Sequence, residues 1–469
     1  MKLSHGWAKA SVEFDEDNLV SYGGLVPVMG LAEKAGLLEL AEAKLSWTSN
    51  RVASAGANPA GKLAAIVAGM AAGADCIEDL DAIRSGGTRR VFGGVYAAAT
   101  LGQFLREFTG GHVSQLASVH RGLLVGLVEL VPDLLPGIAT RAFLDIDSLL
   151  RPVYGHAKEG ASYGHTKIAG RQVLRKGLSP LATTLSTAGS SPLVAGIRLR
   201  SGKTGSAKGA ATMVREGIGV ARAAGALGQL LVRGDSAFGN SEVVAACRKG
   251  GAMFSVTLQK SRPVQAAIAA IGADAWVPVH YPGAVEDPDT GETISDAEVA
   301  EVAFTAFAST NNPVTARLIV RRVRDRAKDA ELFPVWRHHP FLTDNDEPVA
   351  AADITHRRHA IVETVFADLI DGPLAHLPSG RFAANAAWGL CGAMTHNLLH
   401  AAGTLAGGRL AKARGATVRR KIVAVPARPA RPARRAALHL PTHWPWAGEW
   451  KAPWDNVFAP SATGPPLAA

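Results

Sequence analysis

The spacing of apolar residues changes character near residue 140. From residue 20 to about 138, apolar positions recur every three or four residues, the period of a helix with one buried face. Asn58-Pro59 reads as a helix start, a capping side chain followed by proline at the first helical position, and the apolar run Leu63 to Met70 follows it. Gly86-Gly87 breaks the next segment, and Thr100 is placed to cap a helix from Leu101 to Phe108. Two short helices around that glycine turn, flanked by Arg84, Arg89, Arg90 and Arg106, allow a helix-turn-helix-like DNA reader. A plain helical bundle with a charged outer face is the other reading.

Beyond residue 140 short apolar runs and alternating segments take over, bounded by Gly, Ser and Pro. Strands are expected over 143–149, 165–175 and 181–199. A helix at 206–224, a buried strand at 229–235, a helix at 240–250 and a strand at 252–258 follow. Hairpin-linked strands followed by helix-linked strands predict an α/β fold with a mixed sheet. Residues 262–350 read as β-rich, with Val314 to Val320 alternating and Asp287 to Gly291 forming a turn. A helix is then expected over 355–371, capped by Thr355, with the stripe Ile361, Val362, Val365, Phe366, Leu369 and Ile370. The β-rich block therefore interrupts the α/β unit. The expected organisation is a helical N-terminal DNA-binding region (1–138), an α/β unit in two parts (139–258 and 352–402), a β-rich insertion (259–351) and a basic C-terminal DNA-contacting region (403–469).

The strand Ala142 to Ser148 carries Asp145 and Asp147, which period-two alternation puts on one face. Two acids side by side on an apolar strand either face solvent at a sheet edge or need a cation. Asp235 ends a later strand, and strand order in a mixed sheet can bring that end beside the first. Glu363 falls at the border of the late helix's apolar stripe, from where it can look back over the sheet edge. Three carboxylates converging from Asp147, Asp235 and Glu363 would repel unless divalent cations sat between them, an arrangement suited to two-metal phosphoryl transfer. His356, His359 and Glu363 are spaced to share a helix face, with Arg357 and Arg358 beside them. Phosphate contact suits those histidines better than metal ligation, because Mg²⁺ prefers carboxylates.

Charge points to the same kind of partner. The 469-residue chain has a formal net charge of +10, and eleven lysines and arginines beyond residue 401 face only Glu449 and Asp455. Such a balance favours nucleic acid over membrane. Arg419, Arg420 and Lys421 open this region, and Pro426, Pro429 and Pro432 recur among arginines, suiting an extended arm along a phosphate backbone. Trp276 and Trp336 lie in the β-rich block, and Trp444, Trp446, Trp450 and Trp454 in the tail, where docking onto the folded body is the simple reading. Cys76, Cys247 and Cys391 form neither a disulfide framework nor a zinc knuckle and fit a reducing cytoplasm. No signal peptide and no membrane span is expected. Gly196 to Thr204 looks like a phosphate-binding loop but has five residues between its glycines where four are needed, so ATP is not expected.

The motifs Leu144-Asp145-Ile146-Asp147-Ser148, Val232-Arg233-Gly234-Asp235-Ser236-Ala237-Phe238 and Ile361-Val362-Glu363 resemble the three acidic motifs of DDE transposases from bacterial insertion sequences. Phe366 to Leu369, Leu377 to Asn385 and Leu438 to Trp446 extend the likeness, which is nearest to the insertion sequence thirteen-eighty family. The resemblance implies a ribonuclease H-like catalytic domain using Mg²⁺ or Mn²⁺, with Asp147, Asp235 and Glu363 as the metal-binding triad. Asp147 is preferred because Ser148 follows it, with Asp145 in reserve. It further implies end cleavage by a cut-and-paste transposase, strand transfer into target DNA, and a homodimer pairing two terminal inverted repeats. An aromatic of the insertion, Trp336 or Trp276, would hold an unstacked base. His356 and His359 stand where the relatives have Tyr and Arg, and Ile370 where they have Lys. A catalytically inactive DNA-binding derivative and a structure-specific nuclease of the same fold are the alternatives.

Overall fold

The computed structural model describes residues 10–47, 56–155, 157–168, 171–281, 297–324, 335–432 and 435–459. The Asp287–Gly291 turn lies outside them.

Helices come first: α1 (Leu25–Lys34), α2 (Leu37–Lys44), α3 (Pro59–Ala72), α4 (Thr88–Val91), α5 (Ala98–Arg106) and α6 (Gly110–Leu130). Asn58 caps α3 as expected, its side chain accepting the Gly61 N–H at 3.0 Å. Thr100 is not a cap; it lies inside α5, which begins after Ala97. Gly86-Gly87 separates a 3-10 helix at Glu78–Arg84 from the one-turn α4, and α5 buries Leu101, Phe104 and Leu105.

The strands are β1 (Arg141–Ser148), β2 (Arg151–Pro152), β3 (Ser162–Ile168), β4 (Arg171–Leu178), β5 (Leu181–Ser186) and β6 (Leu193–Arg198). Next come α7 (Ala210–Ala223), β7 (Gln229–Gly234), α8 (Ser241–Lys249), β8 (Met253–Thr257), α9 (Arg262–Ala269) and β9 (Val277–Val279). After them run β10 (Ala297–Ala306), β11 (Val314–Arg324), β12 (Trp336–Thr343), α10 (Val349–Arg357), α11 (Ile361–Ile370), α12 (Phe382–Ala406), α13 (Gly415–Val418), β13 (Arg428–Ala430), β14 (Ala437–His439) and α14 (Ala447–Phe458).

Two expected strands are hairpins instead. Residues 165–175 fall on β3 and β4, which with β2 make a separate small sheet. Residues 181–199 fold as β5 and β6, because Gly189-Ser190-Ser191-Pro192 supplies a turn between them. The main sheet runs β6-β5-β1-β7-β8-β12-β11-β10-β9. β1, β7 and β8 are mutually parallel; β5 runs antiparallel to β1, and β6 pairs antiparallel with β5 and so runs with β1. The β-rich block does not stand apart: β12 pairs antiparallel with β8, so the block prolongs the same sheet.

The expected helix at 355–371 is two helices. α10 begins at Val349 after Pro348, a 3-10 turn spans Arg358–Ala360, and α11 follows. Thr355 is thus a buried residue of α10, not a cap. α12 is buried on nearly all sides and runs through the core, against α3, α5, α6, β6 and α14.

The tail is not a free arm. Its β13 and β14 pair, Val20 and Ala427 exchange backbone bonds of 2.8 Å, and the Gly23 N–H reaches Val425 O at 2.7 Å. Gly24 is needed there, since a Cβ would sit 1.8 Å from Ile422 O. α14 packs on α1 and α12 with Trp450 buried.

Candidate active site

β1 and β7 lie side by side in parallel, with Asp145 opposite Arg233 and Ile146 opposite Gly234. The next step of that register puts Asp147 beside Asp235. Asp147 is partly buried and accepts the Ser148 N–H at 2.6 Å, while Asp235 is exposed and accepts the Ala237 N–H at 2.9 Å. α11 packs on β1 and carries Glu363, exposed in its first turn, where the N-terminal end of a helix favours a carboxylate. Burial pushes the Asp147 carboxyl up to about 7, and the charges of Asp235 and Glu363 push in the same direction. Asp147 thus feels the charge of both other carboxylates.

Asp145 does something different. It is fully buried, and the Arg233 guanidinium donates to it through Nε at 2.6 Å and Nη2 at 2.8 Å, the geometry of an ionised bidentate pair. Arg233 Nη1 donates to Thr355 O on α10 at 2.8 Å, and the guanidinium stacks over Phe143 at 4.3 Å. Burial raises the Asp145 carboxyl above its ordinary value, and Arg233 offsets part of that rise. Its oxygens are thus committed to an arginine, which removes Asp145 as the reserve metal ligand. One side chain, Arg233, ties β1, β7 and α10 together two residues before Asp147, two before Asp235 and one short turn ahead of the Glu363 helix. The signal for it was Arg-x-Asp on one strand facing Asp-x-Asp on the next.

The basic residues divide. His356 is buried: its ring stacks on Phe341 at 4.1 Å, and its nitrogens lie 2.9 Å from Ser255 Oγ and 3.0 Å from Thr257 Oγ1. It is a core residue, which corrects the expected phosphate contact. His359 Nδ1 is held by His356 O at 2.7 Å, and the 3-10 turn breaks the common face expected for 356, 359 and 363. Arg357 lies over Tyr281 at 4.1 Å but is exposed, as is Arg358. Arg419 is another correction, being half-buried with Nε donating to Ala71 O at 3.2 Å. Arg420 is exposed, and Lys421 sits 4.9 Å from the Trp446 ring centroid. Arg322 stacks against both Trp276 (4.2 Å) and Trp336 (4.3 Å), so an aromatic face expected to take a base already carries a guanidinium.

A cavity of about 530 Å³ opens next to Asp235, lined by Ser236, Lys260, His338 and His339 among others. The looked-for phosphate loop is otherwise occupied: Arg200 donates to the carbonyls of Ser179, Ser206 and Lys208, and a Cβ on Gly202 would strike Ser162 O and Gly177 O.

The family of the transposase DDE domain, group 1, matches residues 5–457. The chain belongs to that family. It is accordingly a transposase-type protein with DNA as its partner class and divalent metal as its cofactor class. No curated protein matches it. Among the described residues no helix is long and apolar enough to cross a membrane.

Proposed function

We propose that the chain is a cut-and-paste transposase of the insertion sequence thirteen-eighty type. It would cleave DNA at transposon ends and join them to target DNA. The observation carrying this reading is the parallel pairing of β1 and β7, which sets Asp147 and Asp235 on adjacent strand ends, with the Glu363 helix packed on β1. Such an all-oxygen donor set fits divalent ions of the Mg²⁺ or Mn²⁺ kind. When bound, such ions supply the Lewis-acid charge that phosphoryl transfer between oxygens needs.

The order β6-β5-β1-β7-β8, with only β5 running against the other four strands, supports a ribonuclease H-like core. The chain's own residues then have separate tasks. Asp147 and Asp235, on adjacent strand ends, face the reacting phosphate from one side. Glu363, at the start of α11, closes the other. Arg357, Arg358, Arg420 and Lys421 hold backbone phosphates, and Lys260 at the nearby cavity adds positive charge where the strand would enter. A base held by Trp336 requires Arg322 to leave the ring. Two chains pair the two terminal inverted repeats, acting in the cytoplasm on chromosomal DNA.

The test uses a duplex ending in the element's terminal inverted repeat and a target plasmid. Wild type should yield end cleavage and joined products. Asp235→Asn should bind the end with unchanged affinity and yield neither. Cutting without joining would favour a structure-specific nuclease; binding without cutting by wild type would favour an inactive derivative.

A further inference from the structure

Asp368 lies on α11 five residues after Glu363, yet its side chain is only 8% exposed. Two imidazoles of α12 converge on one of its oxygens, His396 Nδ1 at 3.1 Å and His400 Nε2 at 3.5 Å. The three potential ligand atoms all lie within 4.8 Å of one another.

The hydrogen placement decides what that cluster needs. His396 Nε2 is 3.1 Å from Pro192 O, a carbonyl that can only accept, so this nitrogen carries the hydrogen. Nδ1 then turns its lone pair toward the cluster. Nδ1 is buried and has no aligned hydrogen-bond partner, although the carboxylate oxygen is 3.1 Å away. A lone pair and a carboxylate that close, away from water, call for positive charge between them. A second proton on His396 or a metal ion would supply it.

Three features favour the metal. His396 and His400 are spaced i, i+4, which puts both rings on one face of α12. Separations of 3.1 and 3.5 Å bracket the edge, roughly 3.3 Å, of a tetrahedron with bonds near 2.0 Å. A backbone carbonyl on the far ring nitrogen, as Pro192 provides for His396, is the usual outer partner of a metal-bound imidazole. The carboxylate is oriented by the Gly415 N–H at 3.0 and 3.1 Å, and Arg419 is near enough to feel its charge.

We infer that Asp368, His396 and His400 form a structural site for a zinc-class divalent ion, distinct from the Asp147–Asp235–Glu363 cluster. Two nitrogens and one oxygen suit zinc, whereas the all-oxygen cluster suits magnesium. The ion would lock α11, and with it Glu363, onto α12 and the start of α13.

The test uses the full chain carrying Asp147→Asn, Asp235→Asn and Glu363→Gln, so that only the second site can bind. Produced with zinc and then gel-filtered, it should retain about one equivalent of zinc per chain by elemental analysis. Cobalt in place of zinc should give the visible absorption bands of a tetrahedral ion. Adding His396→Gln should abolish both, and if that variant fails to fold, the cobalt spectrum of its parent still decides. No retained zinc and no cobalt bands would overturn the site and assign the charge to a doubly protonated His396.

Discussion

Arg233 grips Asp145 with two bonds, 2.6 and 2.8 Å long, at the centre of the sheet, and spends its remaining nitrogen on Thr355 O. The pair is sealed from water on both sides. Removing one partner strands the other charge, a change that costs about 3–5 kcal/mol in comparable buried pairs. Asp145→Ala and Arg233→Ala should each lower the unfolding free energy, read from urea titration, by that order. The double replacement Asp145→Leu/Arg233→Met should recover much of the stability without recovering end cleavage, because β1, β7 and α10 would lose their common tie. Full cleavage by the folded double variant would show that the pair serves stability alone.

Asp147 gives a pH signature. Its carboxyl, ordinarily near 3.8, is raised to about 7 in the folded chain, first by burial and then by Asp235 and Glu363. The folded state therefore holds a proton that the unfolded chain releases. The stability this contributes is complete below about pH 4 and is lost as pH rises to about 7. In chelator, the melting temperature of wild type should fall between pH 5 and 7.5 relative to Asp147→Asn, and Mn²⁺ should remove the difference. Parallel curves would contradict the coupling.

His356 and Arg358 should part company although they are two residues apart. His356→Ala removes the partner of Ser255 and Thr257 and the ring on Phe341, so it should cost about 1–3 kcal/mol of stability. The salt dependence of end binding by its folded fraction should stay as in wild type. Arg358→Ala should leave stability nearly unchanged and reduce the slope of log affinity against log salt by about one. Denaturant titration and binding at several salt concentrations separate the two.

Much of this was legible in the residues. The Asn58-Pro59 start, the strand at 229–235 and the pairing of β1 with β7 followed from capping, apolar runs and strand order. What escaped was set by distant contacts. Nothing local in Trp336 to Thr343 says that it pairs with β8 and prolongs the catalytic sheet. His356 has the composition of a polar helix end, and only its burial under Phe341 makes it core. The acids Asp145 and Asp147 look alike in a strand; what divides them is Arg233, 88 residues further on and opposite Asp145 in the register. The tail reads as an arm because proline and arginine dominate it, yet its backbone bonds close onto Val20 and Gly23.

If Asp147, Asp235 and Glu363 share bound divalent ions, titration of the wild-type chain with Mn²⁺, followed by electron paramagnetic resonance, measures it directly. About two Mn²⁺ ions per chain are expected at saturation, with spin coupling between them, and at least one site should be lost in each of Asp147→Asn, Asp235→Asn and Glu363→Gln. Unchanged Mn²⁺ binding in all three variants would show that these acids do not hold the ions.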